Sequence, residues 1–418
     1  MKAVALGGKI AGNVIAPTSK SAMQRYIAAA LLAEGRSEIS AHSMCDDSEA
    51  ALGIAKALGA EVEISGSTVR IKGGLNPAVN SIFCGESGLS ARMFTPIAAL
   101  HSREISLNGK GSILKRPLDM VEKPLSMLGV KVTSNNGLLP LTVKGPLKGG
   151  EVFADGSLSS QFITGLLMAL PVAENDSSLT VSDLVSRPYI DLTLSVLNEF
   201  GIKVVNNNYR NFVIRGRQKY NPGSYIAEGD WSGAAFLMVL AAIGGEAEIS
   251  GLNSSSTQAD KAVLDALMAS GADVSHSGDS YKIKGGKLRS FEFNVSECPD
   301  LAPPLAVLAL ACPGTSLLKG TERLAAKESD RGKALEMTLS GIGGKLVNHG
   351  SYIEIHGGTR LKGGAASSFN DHRIAMALAV ASVLSDNEVV IEGFESINKS
   401  YPGFAEDFKG LGGRIETE

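Results

Sequence analysis

Residues 58–74 read LGAEVEISGSTVRIKGG: the end of a helical segment, a glycine, an alternating strand, a polar turn around Gly66 and a second alternating strand. Glycine is the residue expected just past a helix where the backbone needs a positive φ, and apolar alternation on both sides of a polar turn predicts a β-hairpin. The pattern returns at 200–216 (FGIKVVNNNYRNFVIRG) and at 270–286 (SGADVSHSGDSYKIKGG). Its leading glycine occurs six times, as Gly59, Gly129, Gly201, Gly271, Gly343 and Gly412, at spacings of 69–72 residues. Short strands centred on Ile39, Ile105, Leu179, Ile249, Leu317 and Val390 keep the same period. Each unit therefore holds two helices and about four strands, approximately βαβαββ. Solenoid repeats run to roughly 20–50 residues, so units of this size pack as small subdomains, three to a core, giving two similar α/β domains. The polar stretch Arg217–Gly229, with its Pro and Gly, separates the third unit from the fourth and is the expected crossing between domains.

Composition agrees. The 418 residues are 44% apolar and 20% charged, which fits two or three globular domains and excludes a disordered chain. The net charge of −3 advertises neither nucleic acid nor an anionic membrane, so any anion site must be local. The longest apolar runs, Phe236–Ile243 and Ile374–Leu384, are too short to span a bilayer, and the start of the chain reads as a strand rather than a leader. The expectation is a cytoplasmic protein with no membrane partner. Cys45, Cys84, Cys298 and Cys312 show neither CxxC pairing nor metal spacing, and read as reduced thiols.

One helix per unit is apolar on nearly every side, as in YIAAALLA from Tyr26, FITGLLMAL from Phe162 and IAMALAVASVL from Ile374. Such helices belong at a domain centre, which leaves the polar residues to their N-terminal ends. Helix N-termini favour anions. Asp230 and Ser232 there read as ordinary N-caps. Lys20, Arg25, Arg116, Lys327, Arg331 and Arg373 are expected in first turns, where cations oppose the helix dipole and cost stability unless an anion or a carboxylate offsets it.

Seven ordered motifs span almost the whole chain: PTSKSAMQR (17–25), GESGLSARMFTP (85–96), KRP (115–117), DGSLSSQF (155–162), SRPYID (186–191), KESDR (327–331) and NDHR (370–373). Together they resemble the 5-enolpyruvylshikimate-3-phosphate synthases. The resemblance implies two inverted α/β-barrel domains of three βαβαββ units each, with the active site in the cleft between them. The expected boundaries are 19–227 for the N-terminal domain, and 1–18 with 228–418 for the C-terminal one, completed by the N-terminal strand. It further implies transfer of the enolpyruvyl group of phosphoenolpyruvate to the 5-hydroxyl of shikimate-3-phosphate by addition and elimination, in the pathway to chorismate and the aromatic amino acids. No metal or cofactor is implied, and the expected form is a monomer whose partners are the two small-molecule substrates.

On the same resemblance, shikimate-3-phosphate meets Ser21, Arg25, Ser159, Ser160, Gln161, Ser186, Tyr189, Asp300 and Lys327. Phosphoenolpyruvate meets Lys20, Gly88, Arg116, Gln161, Arg331, Arg373 and Lys399. The residue types suit two phosphorylated anions, since arginine offers bidentate, permanently charged contacts. Asp300 takes the hydroxyl proton; Glu328, Lys20 and Lys399 are the candidates for protonating the methylene carbon, and His372 is a candidate to assist.

Three places depart from the family's pattern: Thr18 where Gly is usual, Glu86 where Asn is common, and Arg323 and Ala325 ahead of KESDR. The nearest alternative is a UDP-N-acetylglucosamine enolpyruvyl transferase, which carries a cysteine in a loop matching Gly109–Arg116; GKGSILKR has none. An RNA 3′-terminal phosphate cyclase shares the repeat unit, but the negative net charge opposes it. A non-catalytic anion-binding relative is the third alternative.

Overall fold

The computed structural model describes residues 1–418. It contains six four-stranded sheets built to one plan. In the third sheet along the chain, strand Glu151–Asp155 runs parallel to Ser177–Ser182, in the register Val152 to Leu179. Strand Asn211–Ile214 then pairs antiparallel with Ser177–Ser182, and Val204–Asn207 closes the edge as its hairpin partner. A parallel pair cannot be joined by a tight turn, and helix Ser160–Ala169 makes the crossover. Helix Arg187–Glu199 then leads through Gly201 into the hairpin, completing βαβαββ. All six repeat glycines have φ between +80° and +115°, which explains why that position is glycine in every unit.

The chain folds as two compact units, Met1–Ser19 with Glu228–Glu418, and Lys20–Ala227. The stretch Arg217–Gly229 is more than a connector. Its strand Ser224–Ile226 is the missing first strand of the first sheet, parallel to Gly35–Ser40, with Tyr225 opposite Ile39. The N-terminal segment supplies two strands rather than one. Asn13–Ile15 pairs parallel with Glu246–Ser250, and Lys2–Leu6 lies antiparallel between Val389–Glu392 and Arg414–Thr417. These borrowed strands close three of the six sheets, and alternation patterns alone could not assign strands so far from their partners in sequence.

Each unit buries three helices: Lys20–Leu32, Gly88–Ala98 and Ser160–Ala169 in one, Trp231–Gly244, Ala302–Ala311 and His372–Ala381 in the other. Their residues are buried on every face, as the apolar runs predict. Close approach sets one small residue: a Cβ on Gly165 would lie 2.6 Å from the Met93 carbonyl oxygen and 2.7 Å from the Pro96 ring. Each such helix follows the carboxyl end of a parallel strand, so within a sheet the helix N-terminus and the strand end present their polar residues together. No helix is long and apolar enough to cross a membrane.

Candidate active site

In the unit Lys20–Ala227, Lys20 is the first residue of its helix, and its Nζ lies 3.2 Å from Asp47 Oδ2. A carboxylate thus offsets the unfavourable dipole position. Arg25, one and a half turns further along, is 1% exposed. Its Nε donates to Thr193 Oγ1 at 2.9 Å, and its other nitrogens donate to Ser21 O at 2.6 Å, Tyr189 O at 3.1 Å and Thr164 Oγ1 at 3.4 Å. Every one of these acceptors is neutral. Burial therefore pulls the guanidinium down to about 10, with only Tyr189 opposing. Burying a charge is costly unless it is both hydrogen-bonded and paired, and here only the hydrogen bonds are present.

Ser159 caps helix Ser160–Ala169, its Oγ accepting from the Gln161 amide at 3.2 Å, and Ser160 is buried beside it. The Gln161 side-chain oxygen accepts from Arg92 at 2.9 Å, which leaves its NH2 to donate elsewhere. Arg92 also donates to the Pro117 carbonyl at 2.8 Å, tying the KRP turn to the same helix end. Ser186, the residue before helix Arg187–Glu199, has φ +54° and ψ +47°, a left-handed conformation that a serine adopts at some cost. Its carbonyl accepts from the Tyr189 amide at 3.1 Å. Gly88 opens helix Gly88–Ala98, and a Cβ there would lie 2.7 Å from an Arg116 guanidinium nitrogen. Glycine is needed because Arg116 lies against the backbone.

In the unit formed by 1–19 and 228–418, the centre is Arg331, first residue of helix Arg331–Gly341, with a side chain 0% exposed. It donates to Asp300 Oδ1 at 2.7 Å, Glu328 Oε2 at 2.7 Å, and to Asp371 Oδ2 at 2.9 Å and Oδ1 at 3.2 Å. Burial opposes its charge, but Asp371, Glu328 and Asp300 outweigh it and hold the proton more tightly than usual. Asp300 is met by two more cations, Arg373 at 3.1 Å and Lys327 at 3.3 Å. Burial lowers Lys327, with Asp300 pulling the other way. Burial likewise opposes Arg373, whose charge Asp300 and Asp260 sustain.

Asp371 caps helix His372–Ala381 by accepting from the Arg373 amide at 3.0 Å, and its other oxygen also accepts from Ser329 Oγ at 3.0 Å. Phe369 and Asn370 just before it both have positive φ, +52° and +55°. The Lys399 ammonium donates to the Asn370 carbonyl at 2.6 Å, so it reaches the same turn. The His372 ring is 1% exposed, with Nδ1 3.8 Å from Asp371 Oδ1. Asp230 is an N-cap, accepting from the Gly233 amide, and Ser232 meets the carboxylate of buried Asp260.

Three of the six cations expected in helix first turns need more exact placement. Only Lys20, Arg331 and Arg373 sit in a helix's first turn. Arg25 is in mid-helix, while Arg116 and Lys327 follow the short 3-10 turns Gly111–Lys115 and Glu322–Ala326. Lys399 ends another, Phe394–Lys399. The connection between the second strand and second helix in these units begins as a 3-10 turn, which apolar periodicity does not distinguish from a helix start. Sequence reasoning gave no site role to the residues that hold the others: Asp47, Arg92, Thr164, Thr193 and Asp371. Arg92 and Asp371 lie inside quoted motifs and could have been found there; Asp47, Thr164 and Thr193 carry no local signal.

The sequence profile of the EPSP synthase (3-phosphoshikimate 1-carboxyvinyltransferase) family matches residues 4–408. The chain is 38% identical over 411 residues to the 3-phosphoshikimate 1-carboxyvinyltransferase of Clostridium kluyveri, covering 98% of this chain and 96% of that one. It is 37% identical over 422 residues to the enzyme of the same name from Clostridium perfringens strain ATCC 13124, covering 100% of both. Its fold is similar to the EPSP synthase of Acinetobacter baumannii, with a TM-score of 0.85, 25% identity and full coverage of both chains.

Proposed function

The chain belongs to the EPSP synthase family, and from that premise we infer that it transfers the enolpyruvyl group of phosphoenolpyruvate to the 5-hydroxyl of shikimate-3-phosphate, releasing phosphate. It is a transferase of the shikimate pathway. The structural observation that carries the reading is Arg25: a buried guanidinium whose partners are all neutral oxygens. An anionic substrate supplies the missing charge, and Ser21, Ser159, Ser160, Gln161, Ser186 and Tyr189 complete the shikimate-3-phosphate contacts in that unit.

Phosphoenolpyruvate is assigned to Lys20, Gly88, Arg116 and Gln161 from one unit, and to Arg331, Arg373 and Lys399 from the other. The reaction runs in two stages. The hydroxyl oxygen attacks the central carbon of phosphoenolpyruvate while the methylene carbon takes a proton, giving a tetrahedral adduct; that carbon then loses a proton and phosphate leaves. Asp300 accepts the hydroxyl proton, and Lys327 beside it contacts the sugar phosphate substrate. Glu328, Lys20 and Lys399 serve the methylene carbon and the departing phosphate, and His372 is a candidate to assist.

The UDP-sugar alternative is not favoured. Cys84, the cysteine nearest the loop in sequence, is fully buried and its thiol is pushed up to about 12 by burial, which leaves little thiolate. Four unpaired, buried thiols suit a reducing cytoplasmic compartment, and we take the working form to be a monomer. The mechanistic test is turnover in deuterated water. The adduct's methyl group would carry solvent deuterium into the vinyl position of product, whereas retention of both original vinyl hydrogens in every molecule would exclude the addition stage.

A further inference from the structure

An acid at position 86 stands close to the segment assigned to phosphoenolpyruvate, where a free carboxylate would repel the substrate. The structure gives that carboxylate other work. Strands Ser81–Phe83 and Glu104–Asn108 run parallel, and the chains leaving them stay bonded: the Cys84 amide donates to Asn108 O at 2.7 Å, and the Lys110 amide to Gly85 O at 2.8 Å. Beyond this point the second chain forms the 3-10 turn Gly111–Lys115, which ends at Arg116. Glu86 Oε2 accepts from the Ser112 amide at 3.1 Å and from the Ser112 hydroxyl at 3.3 Å, capping the free N–H at the start of that turn. Gly111 has φ +61°, and a Cβ on it would fall 2.3 Å from the Glu86 carboxyl carbon.

The turn is fixed at two further places. Ile113 is fully buried and its carbonyl accepts from the Arg116 amide at 3.2 Å. At the far end the Arg116 guanidinium lies against Gly88, two residues on from Glu86. The two segments thus interlock reciprocally, with Glu86 reaching into the turn and Arg116 reaching back. We propose that Glu86 is a positioning residue: by clasping Ser112 it fixes the 3-10 turn and so sets the Arg116 guanidinium for the phosphoenolpyruvate anion. The proposal rests on the function inferred above for the role of Arg116, but the clasp itself does not.

The test is a double-mutant cycle with an independent structural readout. Loss of a charge-assisted contact predicts that Glu86→Ala raises KM for phosphoenolpyruvate roughly tenfold while kcat and the affinity for shikimate-3-phosphate alone stay within about twofold. Glu86→Gln, which keeps an acceptor oxygen, recovers most of that loss. In an Arg116→Ala background, Glu86→Ala adds nothing to KM, because the effect runs through Arg116. Additive effects, a fall in kcat with KM unchanged, or an equal loss of shikimate-3-phosphate affinity would overturn the proposal. Amide hydrogen exchange at Ser112 reports the clasp without turnover: it quickens in Glu86→Ala and stays near wild type in Glu86→Gln, and no change in Glu86→Ala contradicts the clasp. Wild-type protein inactive with shikimate-3-phosphate would instead overturn the functional reading, leaving the exchange result to decide the clasp.

Discussion

Arg331 donates to Asp300 at 2.7 Å, so the guanidinium assigned to phosphoenolpyruvate is ion-paired with the carboxylate assigned as base. Arg373 and Lys327 share the same carboxylate. On the proposed assignment, Asp300 would compete with a substrate anion for three cations while supplying the proton acceptor. Replacing it by Asn separates the two roles: kcat falls by about 10²–10⁴, as for loss of a general base, while phosphoenolpyruvate binding in the presence of shikimate-3-phosphate holds or tightens. Steady-state rates and equilibrium titration together check this; weaker binding would show that the carboxylate organises the cations rather than competing for them.

Arg331 also holds Glu328 and Asp371. Arg331→Met leaves three carboxylates without their shared partner, and breaking a buried ion pair in this way costs about 3–5 kcal/mol. Urea unfolding would show the loss, and it should be smaller at acid pH, where the abandoned carboxylates can protonate. A stability loss under about 1 kcal/mol would mean water relaxes into the site.

Arg25 predicts the opposite balance. It is buried against neutral acceptors only, so Arg25→Met removes an unpaired charge and costs little stability, while shikimate-3-phosphate affinity falls about 100-fold with the lost charge-assisted contacts. Thermal unfolding and calorimetric titration on one preparation separate the two effects. Unchanged affinity would remove the main structural support for the anion site.

Asp260 gives a pH signature. Burial, helped by Asp300 and opposed by Arg373, pushes its carboxyl from 3.8 up to about 6. Between those values the folded protein holds a proton that the unfolded chain has released, so this group's contribution to stability is full below about pH 4 and declines as pH rises through about 6. The stability of Asp260→Asn relative to wild type should therefore rise across that window by about 2–3 kcal/mol and then level off. A difference that stays flat with pH would show that the carboxyl is not held protonated.

Gly88→Ala tests the close approach of Arg116. The added methyl would lie 2.7 Å from a guanidinium nitrogen, the far end of a side chain that can move aside. The fold survives, and KM for phosphoenolpyruvate rises with little change in shikimate-3-phosphate affinity. An unchanged KM would mean that Arg116 does not contact the substrate from its place against Gly88.

The repeat was legible in the sequence because it rests on local physics. Positive φ at Gly59, Gly129, Gly201, Gly271, Gly343 and Gly412 admits few other residues, and hairpin alternation is short-range. What was not legible depends on partners remote in sequence. Strand Ser224–Ile226 has meaning only beside Gly35–Ser40, and Asn13–Ile15 only beside Glu246–Ser250. The site divides in the same way. Cations standing against local preference at Lys20, Arg331 and Arg373 signalled that something must offset them, and the structure shows Asp47, Asp300, Glu328 and Asp371 as the compensating groups. Arg25 is the exception with neutral acceptors only, and nothing in its local sequence distinguished it from the paired cations. Glu86 is an acid beside a segment suited to anions, and its role is legible only in three dimensions, where it accepts from Ser112.

The most direct measurement is phosphate release from phosphoenolpyruvate by the purified protein, with shikimate-3-phosphate in one reaction and UDP-N-acetylglucosamine in the other. Release with shikimate-3-phosphate alone, abolished in Lys20→Ala and Glu328→Ala, is the result expected here. Release with the UDP-sugar alone, or with neither, would contradict it.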